Sequence, residues 1–190
     1  MVASRTRASR NVTTGKGSWR LDRRPVLRFV LICAVLTGGL YLAITAFVGT
    51  DLHQAYLRLT ARICVAVLHA FRTEATAAGP TIRSARFSMQ VVRGCDALDP
   101  AALLVAAMVA FPSSWRAKLV GVLAGVATVL VVNVVRIVSL FYIGVHFPRV
   151  FEVVHVEVWP TAIMFLALFM FLVWVRYATR PQARRGAAES

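Results

Sequence analysis

Val129-Leu130-Val131-Val132-Asn133-Val134-Val135-Arg136-Ile137-Val138-Ser139-Leu140-Phe141-Tyr142 decides what kind of fold this chain takes. It lies inside an apolar run from Leu119 to Gly144, 26 residues, where about 20 suffice to cross a bilayer as a helix. The surplus predicts a helix that tilts or projects beyond the hydrocarbon. Arg136 interrupts the run roughly 12 Å before its end, at 1.5 Å per residue. A charge at that depth costs a few kcal/mol at least, and it faces a partner or a polar cavity by default. Asn133, three residues earlier, shares the helical face and is placed to orient it. The plainer reading makes Arg136 a structural residue that snorkels outward or clamps loop carbonyls.

The whole composition follows that stretch. The 190 residues are 58% hydrophobic with a mean hydropathy of +0.69. That suits one membrane domain, 28–176, between a basic disordered arm, 1–27, and a basic tail, 177–190. A formal net charge of +14 would also suit nucleic acid. The Lys and Arg residues, however, crowd the edges of the apolar runs, as they do on the cytoplasmic side of a membrane. A lipid bilayer is therefore the expected partner and nucleic acid is not.

Three further runs are expected to cross: 28–48, 96–112 and 160–175. The first is too long for the apolar core of a signal peptide, about 7–15 residues, and reads as an uncleaved span. The stretch 51–72 differs. At about 100° per residue, Asp51, Arg58, Arg62, His69 and Arg72 fall within roughly 40° of one line. Leu57, Leu59, Ile63, Cys64, Val67, Leu68 and Phe71 take the other sides. That predicts an interfacial amphipathic helix; a tilted span with snorkelling arginines is the alternative. Gly79-Pro80 marks a turn, and Arg86 to Val91 alternates polar with apolar, so a short strand or hairpin is expected there. The fold class is thus an all-α polytopic membrane protein with about four spans, one interfacial helix and a hairpin-like cap. With four spans, both tails and the 113–118 loop share one side, which holds 14 of the 22 basic residues and two of the eight acids. Both termini are then cytoplasmic.

This topology gathers three reactive residues at the outer face. Cys95 opens the second span, Arg136 lies in the outer half of the third, and His155 precedes the fourth. A thiol becomes a nucleophile near positive charge or a helix N-terminus, and Arg93 and Arg136 are the candidate cations. Gly94 allows a tight turn. Asp96 opposes, because its charge raises the thiol pKa unless Arg93 offsets it. His155 can move a proton near neutral pH, with Glu152 one helical turn earlier to fix its tautomer; His146 competes for the role. His53 and His69 belong to the surface helix and are weaker candidates. Cys33 and Cys64 sit in apolar surroundings and read as small hydrophobes. No pair has a recognised metal-ligand spacing, so neither metal nor cofactor is expected.

Val92-Arg93-Gly94-Cys95, Asn133-Val134-Val135-Arg136-Ile137-Val138-Ser139-Leu140-Phe141-Tyr142 and Phe151-Glu152-Val153-Val154-His155-Val156-Glu157-Val158-Trp159 together resemble the exosortase/archaeosortase family. The short length and Trp115-Arg116-Ala117-Lys118 look most like its exosortase H subgroup. The likeness runs from about Thr60 to Tyr177. It implies a bacterial inner-membrane cysteine peptidase or transpeptidase with an extracytoplasmic active site. Its substrates would be proteins bearing a C-terminal sorting tail: a motif, a transmembrane helix and a basic cluster. The resemblance makes Cys95 the nucleophile, Arg136 the oxyanion stabiliser and His155 the general acid/base. Where the family often follows its Cys with a small polar residue and Gly, Asp96-Ala97 stand here. The alternative is a non-catalytic membrane subunit that binds a protein partner through Arg136 and the outer polar loops. An anion transporter using Arg136 is disfavoured by the lack of inverted halves.

Overall fold

The computed structural model describes residues 23–186. Most of the basic arm and the last four residues of the tail lie outside them. Helix α1, Arg23–Phe47, starts five residues before the expected span. Gly49, at φ 89°, turns the chain into α2, Asp51–Ala70, whose first turn is capped by Thr50. A three-stranded antiparallel sheet follows: β1 Thr76–Ala78, β2 Thr81–Arg83 and β3 Ser88–Gln90, in the order β1-β2-β3. Then come α3, Leu98–Ala110, and α4, Trp115–His146. One 3-10 turn, Pro148–Val150, one α turn, α5 Phe151–Val153, and one π turn, Val154–Val158, run on into α6, Trp159–Gly186.

Among the described residues, three helical stretches are long and apolar enough to cross a membrane: Val26–Phe47, Trp115–His146 and Pro148–Thr179. The remaining expected span, the second in chain order, is α3; it has 13 residues, about 20 Å at 1.5 Å per residue, against a hydrocarbon core of about 30 Å. Its start is delayed to Leu98 because Asp96 Oδ1 caps the Leu98 N–H at 3.3 Å and Ala97 is left-handed, φ 63°. Pro112 follows its C-terminus. The segment 145–159, of mixed polar and apolar sequence, is almost entirely helical. Pro160 explains its π turn: it has no N–H for the Val156 carbonyl, and its ring crowds that carbonyl, so the preceding turn widens.

Helix α2 is outside the crossing set. Asp51, Arg58, Arg62, His69 and Arg72 are all exposed, while Leu57, Ala61, Cys64 and Leu68 are buried against α4 and the sheet. Leu59, Ile63 and Phe71, on the apolar side of the wheel, remain exposed, as an interfacial helix allows.

The four apolar helices form an antiparallel bundle in which α1 packs on α3, α3 on α4 and α6, and α4 on α6. At one end Phe29, Phe111, Phe171 and Trp174 cluster, and the Trp174 indole donates to the Ala117 carbonyl at 2.9 Å. Gly121 leaves the room for that indole; a Cβ there would overlap it. At the other end α4 outruns the bundle. Its 32 residues reach about 48 Å, and its last third is the post on which the cap is built. Ile137, Val138 and Phe141 pack there with Leu57, Cys64 and Leu68 of α2 and with Ile82 and Val91 of the sheet region. The start of α1, the later turns of α6 and the 111–117 connection therefore sit at the opposite end from Cys95.

Candidate active site

Cys95 lies in the loop between β3 and α3. The loop turns at Gly94, φ 86°, and again at Ala97, with the Cys95 N–H donating to the Val92 carbonyl at 2.9 Å. Neighbouring helices hold it from both sides. Arg136 Nη1 donates to the Gly94 carbonyl at 3.1 Å, and Asn133 Nδ2 to the Cys95 carbonyl at 2.9 Å. The Tyr56 hydroxyl donates to the Asp96 carbonyl. With those carbonyls fixed, the Cys95 sulphur stands 3.1 Å from His155 Nε2 and 3.8 Å from Arg136 Nη2.

The three expected reactive residues thus meet in one place. The π turn matters to this meeting, because it carries His155. Such bulges often mark functional sites, where the widened turn re-aims a side chain. The His155 ring rests against Phe151, 5.6 Å away, and Phe151 against Phe87, which lies over Gly144. Cys95 and Arg136 are 4% and 5% exposed, whereas His155 is half-buried. Burial is the main cause that pushes the Cys95 thiol above its ordinary range; Arg136 pulls it back and the Asp96 charge adds to the rise. Cys64, with burial and no cation, is pushed up to about 12.

The supporting residues are placed differently from their expected roles. Asn133 holds the Cys95 carbonyl, and no hydrogen bond joins it to Arg136. Arg93 puts its guanidinium over the Tyr41 ring, 5.3 Å from the centroid, and not on the thiol. Glu152 is exposed and, among the described residues, bonds nothing; His155 is held by Cys95 instead. His146 stacks on Tyr142, and His69 bonds the Ala75 carbonyl at 2.7 Å. His53 was undervalued. It is buried, 3.3 Å from Asp96 Oδ2. Its signal was present in the sequence: at about 100° per residue it falls about 200° from Asp51, off the polar stripe. Arg136 Nε and Asn133 Oδ1 are buried without partners, so the loop does not saturate the guanidinium. No group of three or more His, Cys, Asp or Glu side chains is placed to hold a metal among the described residues.

Space reaches this cluster from the side. A cavity of about 270 Å³ is lined by Gly94 and Arg136 at one end and by Leu103, Met164 and Ala167 below. The last three also line a second cavity of about 250 Å³ that runs on to Phe171. Together they form an apolar furrow between α3 and α6 that ends at the thiol loop. Two larger cavities, about 660 Å³ at the cap and about 630 Å³ between α2 and α4, are not lined by Cys95, Arg136 or His155.

A thiol, an imidazole and a buried guanidinium thus meet at one end of an apolar bundle whose three long helices make this a multi-pass membrane protein. The family described as transmembrane exosortase (Exosortase_EpsH) matches residues 19–175, and the chain belongs to that family. No curated protein and no solved structure matches it.

Proposed function

We propose that the protein is a membrane cysteine peptidase or transpeptidase that cuts, or transfers, proteins at a C-terminal sorting tail on the extracytoplasmic side. The observation that carries this reading is the 3.1 Å approach of Cys95 Sγ to His155 Nε2 beside Arg136. Because burial favours the neutral thiol, the proton leaves Cys95 as the attack begins, passing to His155 Nε2. The sulphur bonds to the scissile carbonyl carbon, whose oxygen takes the negative charge. Arg136 faces that oxyanion in a setting of low dielectric, where a fixed cation is worth more than in water. His155 returns the proton to the leaving amine as the C–N bond breaks, leaving a thioester. Water or an acceptor amine then gives its proton to His155, attacks the thioester and releases the thiolate. The furrow between α3 and α6 suits the apolar helix of the tail, since it runs from Phe171 to the thiol loop. The excess of basic residues on the tails and the 113–118 loop supports placing Cys95 outside.

The rival reading, a non-catalytic subunit, has one observation on its side: the thiol is 4% exposed and its pKa is raised. Co-expression separates the two. The probe is a secreted reporter carrying all three parts of such a tail, a motif, an apolar helix and a basic cluster, taken from a protein of the same source. Cys95→Ala and Cys95→Ser are expected to insert normally and to leave the reporter uncut. Normal processing by either variant would remove the nucleophile reading.

A further inference from the structure

We propose that His53 and Tyr56 of α2 are positioning residues for Cys95, acting through Asp96; this rests on the reading of Cys95 as the nucleophile. The carbonyls of Gly94, Cys95 and Asp96 are each held by one helix side chain. Arg136 and Asn133 supply the first two from α4. Tyr56 supplies the third from α2, across the site. The Asp96 carboxylate is also held at both oxygens, Oδ2 by His53 Nε2 at 3.3 Å and Oδ1 by the Leu98 N–H at 3.3 Å. His53 and Asp96 are 2% and 1% exposed, and a carboxylate that deep is strongly disfavoured without a partner.

His53 is itself fixed. Its N–H donates to the Thr50 hydroxyl at 3.2 Å, and its ring stands edge-on to Phe47. The Gly49 N–H approaches Nδ1 at 3.5 Å, which makes Nδ1 the acceptor and leaves the Nε2 proton for Asp96. Two consequences follow for the thiol. The grip on Asp96 sets the loop that aims Sγ at His155. It also engages a charge that otherwise opposes the thiolate next door. The titratable groups that feel the Asp96 charge are Tyr56 from α2 and Cys95 itself; Arg136 from α4 and His155 from the π turn face the sulphur. Arg93 is committed to Tyr41.

The test is the pH dependence of iodoacetamide alkylation of Cys95 in the full-length, detergent-solubilised protein, read peptide by peptide. Cys64, fully buried, reports whether the fold is intact. His53→Phe keeps a ring beside Phe47 and removes the donor to Asp96, so the Cys95 midpoint is expected to move up by roughly half a unit or more. Asp96→Asn removes the charge and moves it down. The double variant follows Asp96→Asn alone, because the group through which His53 acts is gone. Tyr56→Phe frees the carbonyl without touching the carboxylate; it lowers reporter processing and leaves the midpoint in place. An unchanged midpoint in His53→Phe, with Cys64 still protected, overturns the proposal. Should His53→Phe expose Cys64, His53→Leu repeats the test, and an unchanged midpoint there has the same force. The nucleophile reading fails separately: a Cys95→Ala variant that still processes the reporter removes it, and the positioning role with it, whatever the midpoints do.

Discussion

The Cys95 sulphur has an imidazole 3.1 Å away and a guanidinium nitrogen 3.8 Å away, and the proposed acyl transfer asks a different thing of each. It asks the imidazole to move the proton; the guanidinium holds Gly94 with one nitrogen and faces the sulphur with another. Lysine keeps the charge but is a point donor on a flexible stem, so it cannot do both at once. Arg136→Lys is therefore expected to insert normally yet lose about 10²–10³-fold in processing rate, the usual effect of deleting an oxyanion donor. Pulse–chase of the co-expressed reporter measures it; a loss below tenfold would show that the fork is dispensable. Arg136 was legible in the sequence because it breaks an apolar run, Cys95 because Arg93, Gly94 and Asp96 surround it, and His155 because it can move a proton and falls just before the last span. Asp96 was legible only as a difficulty. Its partner His53 is 43 residues away, on a helix whose exposed stripe drew the reading to the wrong face. Glu152 was assigned to His155 by a spacing that holds in an α-helix. The residues from Val154 form a π turn, which takes more than four residues per turn and breaks that register.

The same π turn shows what an element contributes that no residue list contains. Pro160 sits one residue into α6, and removing its ring restores an N–H to the Val156 carbonyl and the crowding ends. Pro160→Ala should let the turn relax toward α geometry and rotate His155 off the sulphur. The expected result is a protein as stable as the parent, or slightly more so, with processing down by about 10²-fold, since displacements near 1 Å cost that much in a catalytic pair. Thermal melting of the solubilised protein beside the reporter assay separates this from unfolding. Element boundaries were readable where periodicity was strong. The wheel of 51–72 marked the exposed stripe of α2 because its charges lie on one line. The cap was only half visible: Thr76-Ala77-Ala78 is exposed throughout, so β1 carries no alternation to detect. The stretch before Pro160 exposes most of its sides, which hides a helix behind a mixed sequence.

At the scale of the molecule, the bundle separates two jobs between its ends. The Phe111–Trp174 end closes the helices tightly, with Gly121 under an indole. The Cys95 end keeps α3 short and leaves the furrow between α3 and α6 open from Phe171 to Arg136. A helix that enters sideways from lipid needs such an opening, because a bundle packed along its whole length would have to come apart to admit it. Met164 gives the cleanest test of this route. It is 68% exposed, lines both parts of the furrow and stands apart from the thiol loop. Met164→Trp should narrow the furrow without disturbing the buried contacts that fix Cys95. Alkylation of Cys95 is then expected to keep its rate and its pH midpoint. Processing of the tailed reporter should fall tenfold or more, the equivalent of about 1.4 kcal/mol of lost docking. A parallel loss of alkylation would mean that the substitution reached the thiol loop, and Leu103→Trp, on the facing helix, would then repeat the test. Full processing in both variants would put the substrate helix somewhere other than between α3 and α6.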